Sequence, residues 1–480
     1  MSKRTLTLLI ALSMTASICS CGGDSSPNGT TTGTETETTE APETTLSLGI
    51  PEEDNGGRTF TILVPSEKSY EFVTESNGEI INDAMYDRSR KVEEHFNIKF
   101  DYRYEPDNWD VRGTYNALIS STVLAGDPTY DLITGYIVCT LPEITGGYFI
   151  DLNQSELNFD NPWWLADHYG NLSINGKIFC AIGDANLSVY KDCAVSYFNK
   201  QLLEDFELEN PYELVRSGEW TLDKLIEMSG VVTSDLDGDG SVKLEGDRIG
   251  CYMQRVPWRA FQTAFEIKVV DVDENNERYF PGLTERMADA FEKLMAFNKS
   301  DAGYFEGNAV DFNAFPAAFC EDRALFHFSY LYITEGELMR NMKSDFGIVP
   351  YPKYDTAQEK YYSQIGTSTN VMFIPKTASD VGLTCRVMEA LSYYGMQDVV
   401  PAYYEIALRD KYTRDEDVPE MLGLIRDGMT MDFAFAFSTC FSPQTNSLMT
   451  PDNGDNLAST MASGMSKWGA ALEKLGEIPE

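Results

Sequence analysis

An α/β fold is predicted by two features of the chain. Thr59 to Val64, Ile98 to Tyr104 and Asp131 to Tyr136 are β-type runs, and helical patterns fill the gaps between them. Strand, helix, strand, helix, strand at this spacing is how a chain builds a parallel sheet covered by helices. In addition, the stretch after residue 57 is longer than one typical domain, which predicts two. Hydrophobic residues make up 42% of the sequence and aromatic ones 12%, enough for substantial cores.

Each element has a local cause. Ile81, Met85, Val92 and Phe96 recur at spacings of four and seven and so share one helix face. A second helix is expected from about Trp109 to Leu124, stopping at Gly126, whose missing Cβ suits a left-handed residue. The Asp131 to Tyr136 strand then delivers Tyr136 to the carboxyl edge of the sheet, where parallel sheets bind ligands. Asn175-Gly176-Lys177 is a turn before Ile178 to Ile182, and Val195 to Phe198 is strand-like. Thr221 is placed to cap a helix burying Leu222, Leu225, Ile226 and Met228; Met287, Ala290, Phe291, Leu294 and Phe297 form another helical stripe.

Residues 1–20 read as a secretion leader: Lys3 and Arg4 precede an apolar core, Leu6 to Ala16, that is too short to span a bilayer. Ile18-Cys19-Ser20-Cys21 resembles the bacterial lipobox, with Cys21 as the residue that carries lipid. Residues 21–57, dominated by Thr, Glu, Ser, Pro and Gly, are expected to be a disordered tether that lets the body stand off a membrane. This places the protein at the cell membrane, lipid-anchored on the extracytoplasmic face. The net charge of −39 argues against nucleic acid and anionic lipid as partners and favours neutral or cationic ligands. Cys139, Cys180, Cys193, Cys251, Cys320, Cys385 and Cys440 are scattered singly, so few or no disulfides are expected.

Several segments of the body resemble the extracellular solute-binding proteins of bacterial ABC importers, above all the sugar-binding branch. Asn175 to Phe179 followed by Ala181-Ile182-Gly183-Asp184 is similar to the segment leading into that family's first hinge, and Ser196-Tyr197-Phe198-Asn199-Lys200 to the strand after it. Asn210 to Leu214 with Gly218-Glu219-Trp220-Thr221 looks like the family's loop and Trp-capped helix. Ala324-Leu325-Phe326 with Ser329-Tyr330 looks like its buried strand and ligand-facing turn, and Phe346 to Pro352 like the return toward the second crossover.

The resemblance implies a type II periplasmic-binding-protein architecture, two lobes of mainly parallel sheet covered by helices, with a ligand cleft between them. Lobe one would hold 58–186 plus 367–412, and lobe two 187–366 plus 413–480. It implies a monomer that binds a carbohydrate, an oligosaccharide above all, and delivers it to ABC permease subunits. Tyr136, Trp258 and Tyr330 would line the cleft, with Asp184 and Asn186 at the first hinge and the small residues Gly366, Thr367 and Ser368 at the second. The family's ligand turn often carries Trp, where this chain has Phe328-Ser329-Tyr330-Leu331-Tyr332.

No enzyme is expected. No His-Glu-x-x-His, Gly-x-Ser-x-Gly or phosphate-cradling Gly-rich loop occurs, and His95, His168 and His327 lie outside metal-ligand spacing of one another. A secreted glycosidase with two carboxylates is the enzymatic alternative, and a surface glycan-binding lipoprotein without an importer is the other. Asp235, Asp237 and Asp239 stand at alternate positions around a turn at Gly240, in the pattern of a calcium loop. Position twelve of that pattern is Gly246 rather than Glu, so closure is expected from Asp247 and the carbonyl of Ser241, giving a structural Ca2+ away from the solute.

Overall fold

The computed structural model describes residues 46–165, 171–306, 316–409, 415–441, 445 and 448–479. The leader, Cys21, most of the tether and His168 lie outside the described residues. Residues 48–480 form one compact unit.

Among the described residues, nine strands make the two larger sheets: β1 (Arg58–Pro65), β2 (Ile98–Glu105), β3 (Leu132–Tyr136), β4 (Ala194–Asn199), β5 (Ile249–Gln254), β6 (Gly303–Glu306), β7 (Ala324–Tyr330), β8 (Phe346–Val349) and β9 (Asn370–Phe373). The first sheet has the order β9-β3-β1-β2, and the second β8-β4-β7-β5-β6. In the first, β1 runs parallel to β2 and β3, while β9 is antiparallel to β3. The second is mixed: β5 is parallel to β6 and β7, whereas β4 is antiparallel to β7 and β8. The antiparallel strands β4 and β9 are those that enter a sheet from the chain passages joining the two, so they start at the edge where their neighbours end.

The helices follow the expected stripes. α1 (Ile80–Phe96) buries Met85, Val92 and Phe96 and ends on Asn97 at φ 43. α2 (Arg112–Leu124) is followed by Gly126 at φ +67, the expected left-handed stop. It starts three residues later than expected, because the Asn108 side chain accepts from the amides of Asp110 (3.0 Å) and Val111 (3.4 Å) and holds a turn there. Trp109 is therefore outside the helix. Thr221 caps α3 (Leu222–Val232), which buries Leu222, Leu225 and Met228, and α4 (Arg255–Ala264) follows β5 directly. α5 (Glu285–Lys299) buries Met287, Ala290, Phe291, Leu294 and Phe297, and α6 (Val381–Tyr394) covers the first sheet.

The tether was expected to run to residue 57, and the structure shortens it. Leu48 and Ile50 pack on the first core, and the amides of Glu53 (2.9 Å), Asn55 (3.2 Å) and Gly57 (2.8 Å) donate to carbonyls at the end of α1. Two apolar side chains and three amide bonds suffice to order the segment before β1. Of the seven body cysteines, Cys139, Cys180, Cys193, Cys251 and Cys385 are buried, and Cys320 and Cys440 are half-buried. His327 is a core residue, stacked on Tyr252 (5.8 Å) and Tyr197 (6.2 Å), with burial pushing its imidazole down to about 4. Among the described residues no helix is long and apolar enough to cross a membrane.

Candidate functional site

Strand direction fixes where the two sheets meet. β1, β2 and β3 end, and β9 begins, at one edge of the first sheet; β5 and β7 end, and β4 begins, at one edge of the second. The two chain passages between the sheets lie side by side at these edges. Cys193 bridges Ile365, the Gly366 amide donates to the Asp192 carbonyl at 2.7 Å, and the Asn370 amide donates to Ser188 Oγ at 2.9 Å. A Cβ on Gly366 would lie 2.9 Å from the Asp192 carbonyl oxygen, so this passage needs glycine for close approach.

A charged pair ringed by tyrosines sits at the crossing. Lys68, in the 3-10 turn after β1, is buried and reaches Asp192 Oδ2 at 2.8 Å; Ser368 Oγ donates to the same oxygen at 2.9 Å. The Lys68 ammonium lies 5.2 Å from the Tyr136 ring centre and 5.8 Å from that of Tyr70. Lys191 Nζ sits 4.8 Å over Tyr70 and pairs with Glu335 at 2.7 Å. Tyr330 and Tyr332, at the end of β7, stack at 5.9 Å. Burial pushes all four phenols up, Tyr332 to about 12, so each is a neutral hydroxyl able to donate or accept. Tyr70, Tyr136 and Tyr332 are half-buried, whereas Tyr330 is buried.

Beneath this ring most of the polar groups are engaged inside the protein. Glu71, fully buried, accepts from the Ser188 amide at 2.5 Å, from Asn370 Nδ2 at 2.7 Å and from Asn186 Nδ2 at 3.2 Å, tying both passages together. Arg88, also fully buried, donates to the carbonyls of Glu71 (2.5 Å) and Ala185 (2.6 Å). Asp107 lies in the loop after β2, has no exposed surface, and accepts from the Tyr136 amide at 2.9 Å and Thr140 Oγ1 at 3.3 Å; its other oxygen has no hydrogen-bond partner. Burial, with the Glu67 carboxylate adding to it, pushes the Asp107 carboxyl up to about 7.

Of the residues expected in the cleft, the structure brings Tyr136 and Tyr330 together around Lys68 and Asp192, with Ser368 beside them. Asp184 and Asn186 are corrected to structural positions. Neither has exposed surface: Asp184 is held by Tyr190 (2.5 Å) and Arg426 (3.0 Å), and Asn186 points at Glu71. Trp258 is corrected likewise, because its helix lies on the sheet face: it is fully buried, its indole N–H donates to the Met449 carbonyl at 2.8 Å, and Phe261 packs edge-on at 6.0 Å. Trp163 and Trp164 are both buried and both donate to Glu389. Lys68, Tyr70, Asp192 and Tyr332 escaped the sequence reading; Lys68 and Tyr70 stand after a strand end, where the rule that selected Tyr136 also applied.

The acidic loop is well formed. Asp235, Asp237 and Asp239 are exposed, with ligand oxygens within 4.8 Å of one another. Asp235 accepts from the amides of Gly238 (2.6 Å) and Gly240 (2.8 Å), both in the left-handed region at φ +74 and +91. Asp247 departs from the expected ligand role: it is buried, and accepts from the amides of Leu236 (2.7 Å) and Lys243 (2.8 Å), closing the loop through backbone. Ser241 Oγ donates to Asp239 at 2.8 Å, and Lys243 forms an ion pair with the same carboxylate.

No family model matches the sequence, and no curated protein does. Solved structures do match in fold. The galacto-N-biose/lacto-N-biose I-binding protein of an ABC transporter from Bifidobacterium longum, in complex with lacto-N-biose, is 13% identical, with a TM-score of 0.58 over 88% of this chain and 99% of that one. A sugar transporter protein from Rhizobium etli in an open conformation is 14% identical, with a TM-score of 0.56 over 86% and 99%. The cyclic alpha-maltosyl-1,6-maltose binding protein of Arthrobacter globiformis is 14% identical, with a TM-score of 0.55 over 87% and 100%. Two sheets whose edges meet at paired chain passages, matched over 86–88% of the chain by these structures, give the chain the type II periplasmic-binding-protein fold.

Proposed function

We propose that this protein is an extracytoplasmic solute-binding lipoprotein that captures a carbohydrate between its two lobes and hands it to an ABC permease. The observation that carries the reading is the Lys68–Asp192 pair at the crossing, ringed by Tyr70, Tyr136, Tyr330 and Tyr332. Tyrosine faces stack on the apolar faces of pyranose rings while their hydroxyls bond to those of the sugar. Two of the cations beside the ring carry acidic partners, Lys68 with Asp192 and Lys191 with Glu335, which suits a neutral polyhydroxylated ligand better than a charged one. The similar structures support it further, since those from B. longum and A. globiformis are described as sugar-binding proteins.

On this reading Cys21 carries the lipid, the polar segment after it spaces the body from the membrane, and the protein works as a monomer. Lobe one spans 58–186 plus 367–412, with Gly366 to Ser368 as hinge. Calcium held by Asp235, Asp237 and Asp239 braces the loop between α3 and β5, away from the solute. Glycans bind without being cleaved.

The test is a thermal-shift screen across mono- and oligosaccharides, amino acids and short peptides, followed by calorimetry on the best ligand. Binding of a glycan, weakened about tenfold or more by Tyr136→Ala and by Tyr332→Ala, is the expected result. Binding of amino acids or peptides only, turnover of the glycan, or unchanged affinity in both variants would sink the reading.

A further inference from the structure

A long helix late in the chain, α7 (Leu457–Gly476), belongs by its packing to the second sheet. Its Trp468 is fully buried and packs on Phe280 at 5.8 Å; just before it, the Met449 carbonyl accepts from Trp258 on α4, and Asp455 pairs with Lys299 of α5 at 2.8 Å. The residues at its end do not stay there. The Gly476 carbonyl accepts from Asn175 Nδ2 at 3.2 Å, the Pro479 carbonyl accepts from Lys376 Nζ at 3.3 Å, and a Cβ on Gly147 would lie 3.0 Å from the Cβ of Pro479.

Gly147, Asn175 and Lys376 all belong to the first sheet's side. Phe149 bridges Pro375 and Ala181 bridges Met372, so the three stand on one flank beside β9. β9 starts at the crossing, with Asn370 opposite Tyr136, and Lys376 is about 20 Å farther along at the rise of a strand. A second tie joins the same parts. Arg278, in the short hairpin of Asp271–Val272 and Arg278–Tyr279, donates to the carbonyls of Ser173 at 3.0 Å and Asn171 at 2.8 Å, with its guanidinium 4.3 Å from the Phe433 ring centre. Asn171 Nδ2 in turn donates to Thr430 Oγ1 at 2.8 Å.

The two ends of this connection differ in kind. α7 is held on the second sheet's side by a core tryptophan, whereas the contacts beyond it are two side-chain hydrogen bonds at exposed positions, with the half-buried Ile478 between them. Distance from the crossing also makes this the contact that a hinge rotation strains most. Turning the lobes by about 15° would move a point 20 Å out by about 5 Å, beyond hydrogen-bond reach.

We propose that residues 476–479 are a strap between the lobes, anchored in the second and fastened to the flank of the first, which must let go before the lobes can rotate. The inference rests on the reading of the protein as two lobes that close on a solute, and it adds what restrains that motion.

The test uses two variants of the otherwise full chain, without any solute. Deletion of 477–480 removes the Pro479 contacts, and Asn175→Gly removes the bond to Gly476 while suiting the left-handed backbone there at φ 49. Hydrogen exchange at the crossing amides of Gly366 and Asn370 should rise about tenfold in either variant and further in the two combined. Small-angle scattering should show a wider spread of particle dimensions, while amides of α7, β1 and β7 keep wild-type exchange. Unchanged exchange at Gly366 and Asn370 in both variants overturns the strap. A rise spread evenly over the strands, with a matching fall in melting temperature, overturns it too and makes the segment ordinary packing. Variants that behave as expected in a protein that binds no glycan leave the strap standing and overturn only the carbohydrate reading.

Discussion

Asp107 offers a prediction whose sign and size follow from the structure. It has no exposed surface, one oxygen holds the Tyr136 amide and Thr140 hydroxyl, and the other is unpartnered. Burial and the Glu67 carboxylate lift its carboxyl from 3.8 to about 7. A folded-state value above the unfolded one means the native state holds the proton more tightly. The stabilisation is fully present below pH 3.8 and is lost as pH rises through 7. At 1.36 kcal/mol per unit, the difference between pH 4 and pH 8 is about 4 kcal/mol. Of the groups facing it, Glu67 from the turn after β1 adds negative charge, while Tyr115 from α2 and Tyr136 and Cys139 from the end of β3 and the turn beyond are pushed up by burial and stay neutral, so none of these four compensates.

Asp107→Asn fixes the neutral form: the amide oxygen still accepts from Tyr136, and the amide NH2 replaces the unpartnered oxygen. Urea titration of both proteins at unit steps from pH 4 to pH 8 should show the variant gaining about 4 kcal/mol relative to wild type across the range. Taking the difference cancels Asp432, whose carboxyl burial lifts to about 6 and which moves stability in the same direction. A difference flat to within about 1 kcal/mol would show that Asp107 titrates near its ordinary value and refute the argument.

Glu71→Ala strands three buried donors, the Ser188 amide and the side chains of Asn186 and Asn370, and should cost about 3–5 kcal/mol by urea denaturation; a loss below about 1 kcal/mol would mean water replaces the carboxylate. Calcium at a hundred times its dissociation constant should add about 2.7 kcal/mol, raising the melting temperature over that in chelator, and Asp237→Ala and Asp239→Ala should abolish the gain. Lys243→Gln, by freeing Asp239, should strengthen it, and equal melting in calcium and chelator would end the calcium assignment. Cys21→Ala should release the protein into the medium or leave it unprocessed, read by membrane fractionation and acyl labelling; unlabelled protein that stays on the membrane would contradict the lipid anchor.

What was legible in the sequence was what local periodicity and local backbone chemistry decide. The face carried by Met85, Val92 and Phe96, the stop at Gly126, the left-handed pair Asn175 and Gly176 and the Thr221 cap depend on neighbours within a few residues. The start of α2 was misread because Asn108 offers its side chain to the backbone, a competition that hydrophobic spacing does not register. Exposure at the crossing was legible only where one strand's end decides it, as at the half-buried Tyr136. Lys68 and Asp192 are 124 residues apart, and Glu71 and Asn370 are 299 apart; nothing in either segment alone marks the partner.

The errors at Asp184 and Asn186 share one cause, and it bears on how the site works. Polar residues at a crossing were expected to face the ligand, but two chain passages packed against each other must first satisfy their own buried amides and carbonyls. Glu71, Arg88, Asp184 and Arg426 do this, and most of their hydrogen-bonding groups are engaged inside the protein. On the proposed reading, ligand recognition then falls to side chains one layer out, the half-buried Tyr70, Tyr136 and Tyr332, whose rings are held by packing while part of each surface remains open. Asp184 and Asn186 thus act on affinity through position: their loss should lower global stability and solute affinity together, whereas loss of Tyr136 or Tyr332 should lower affinity with little change in stability.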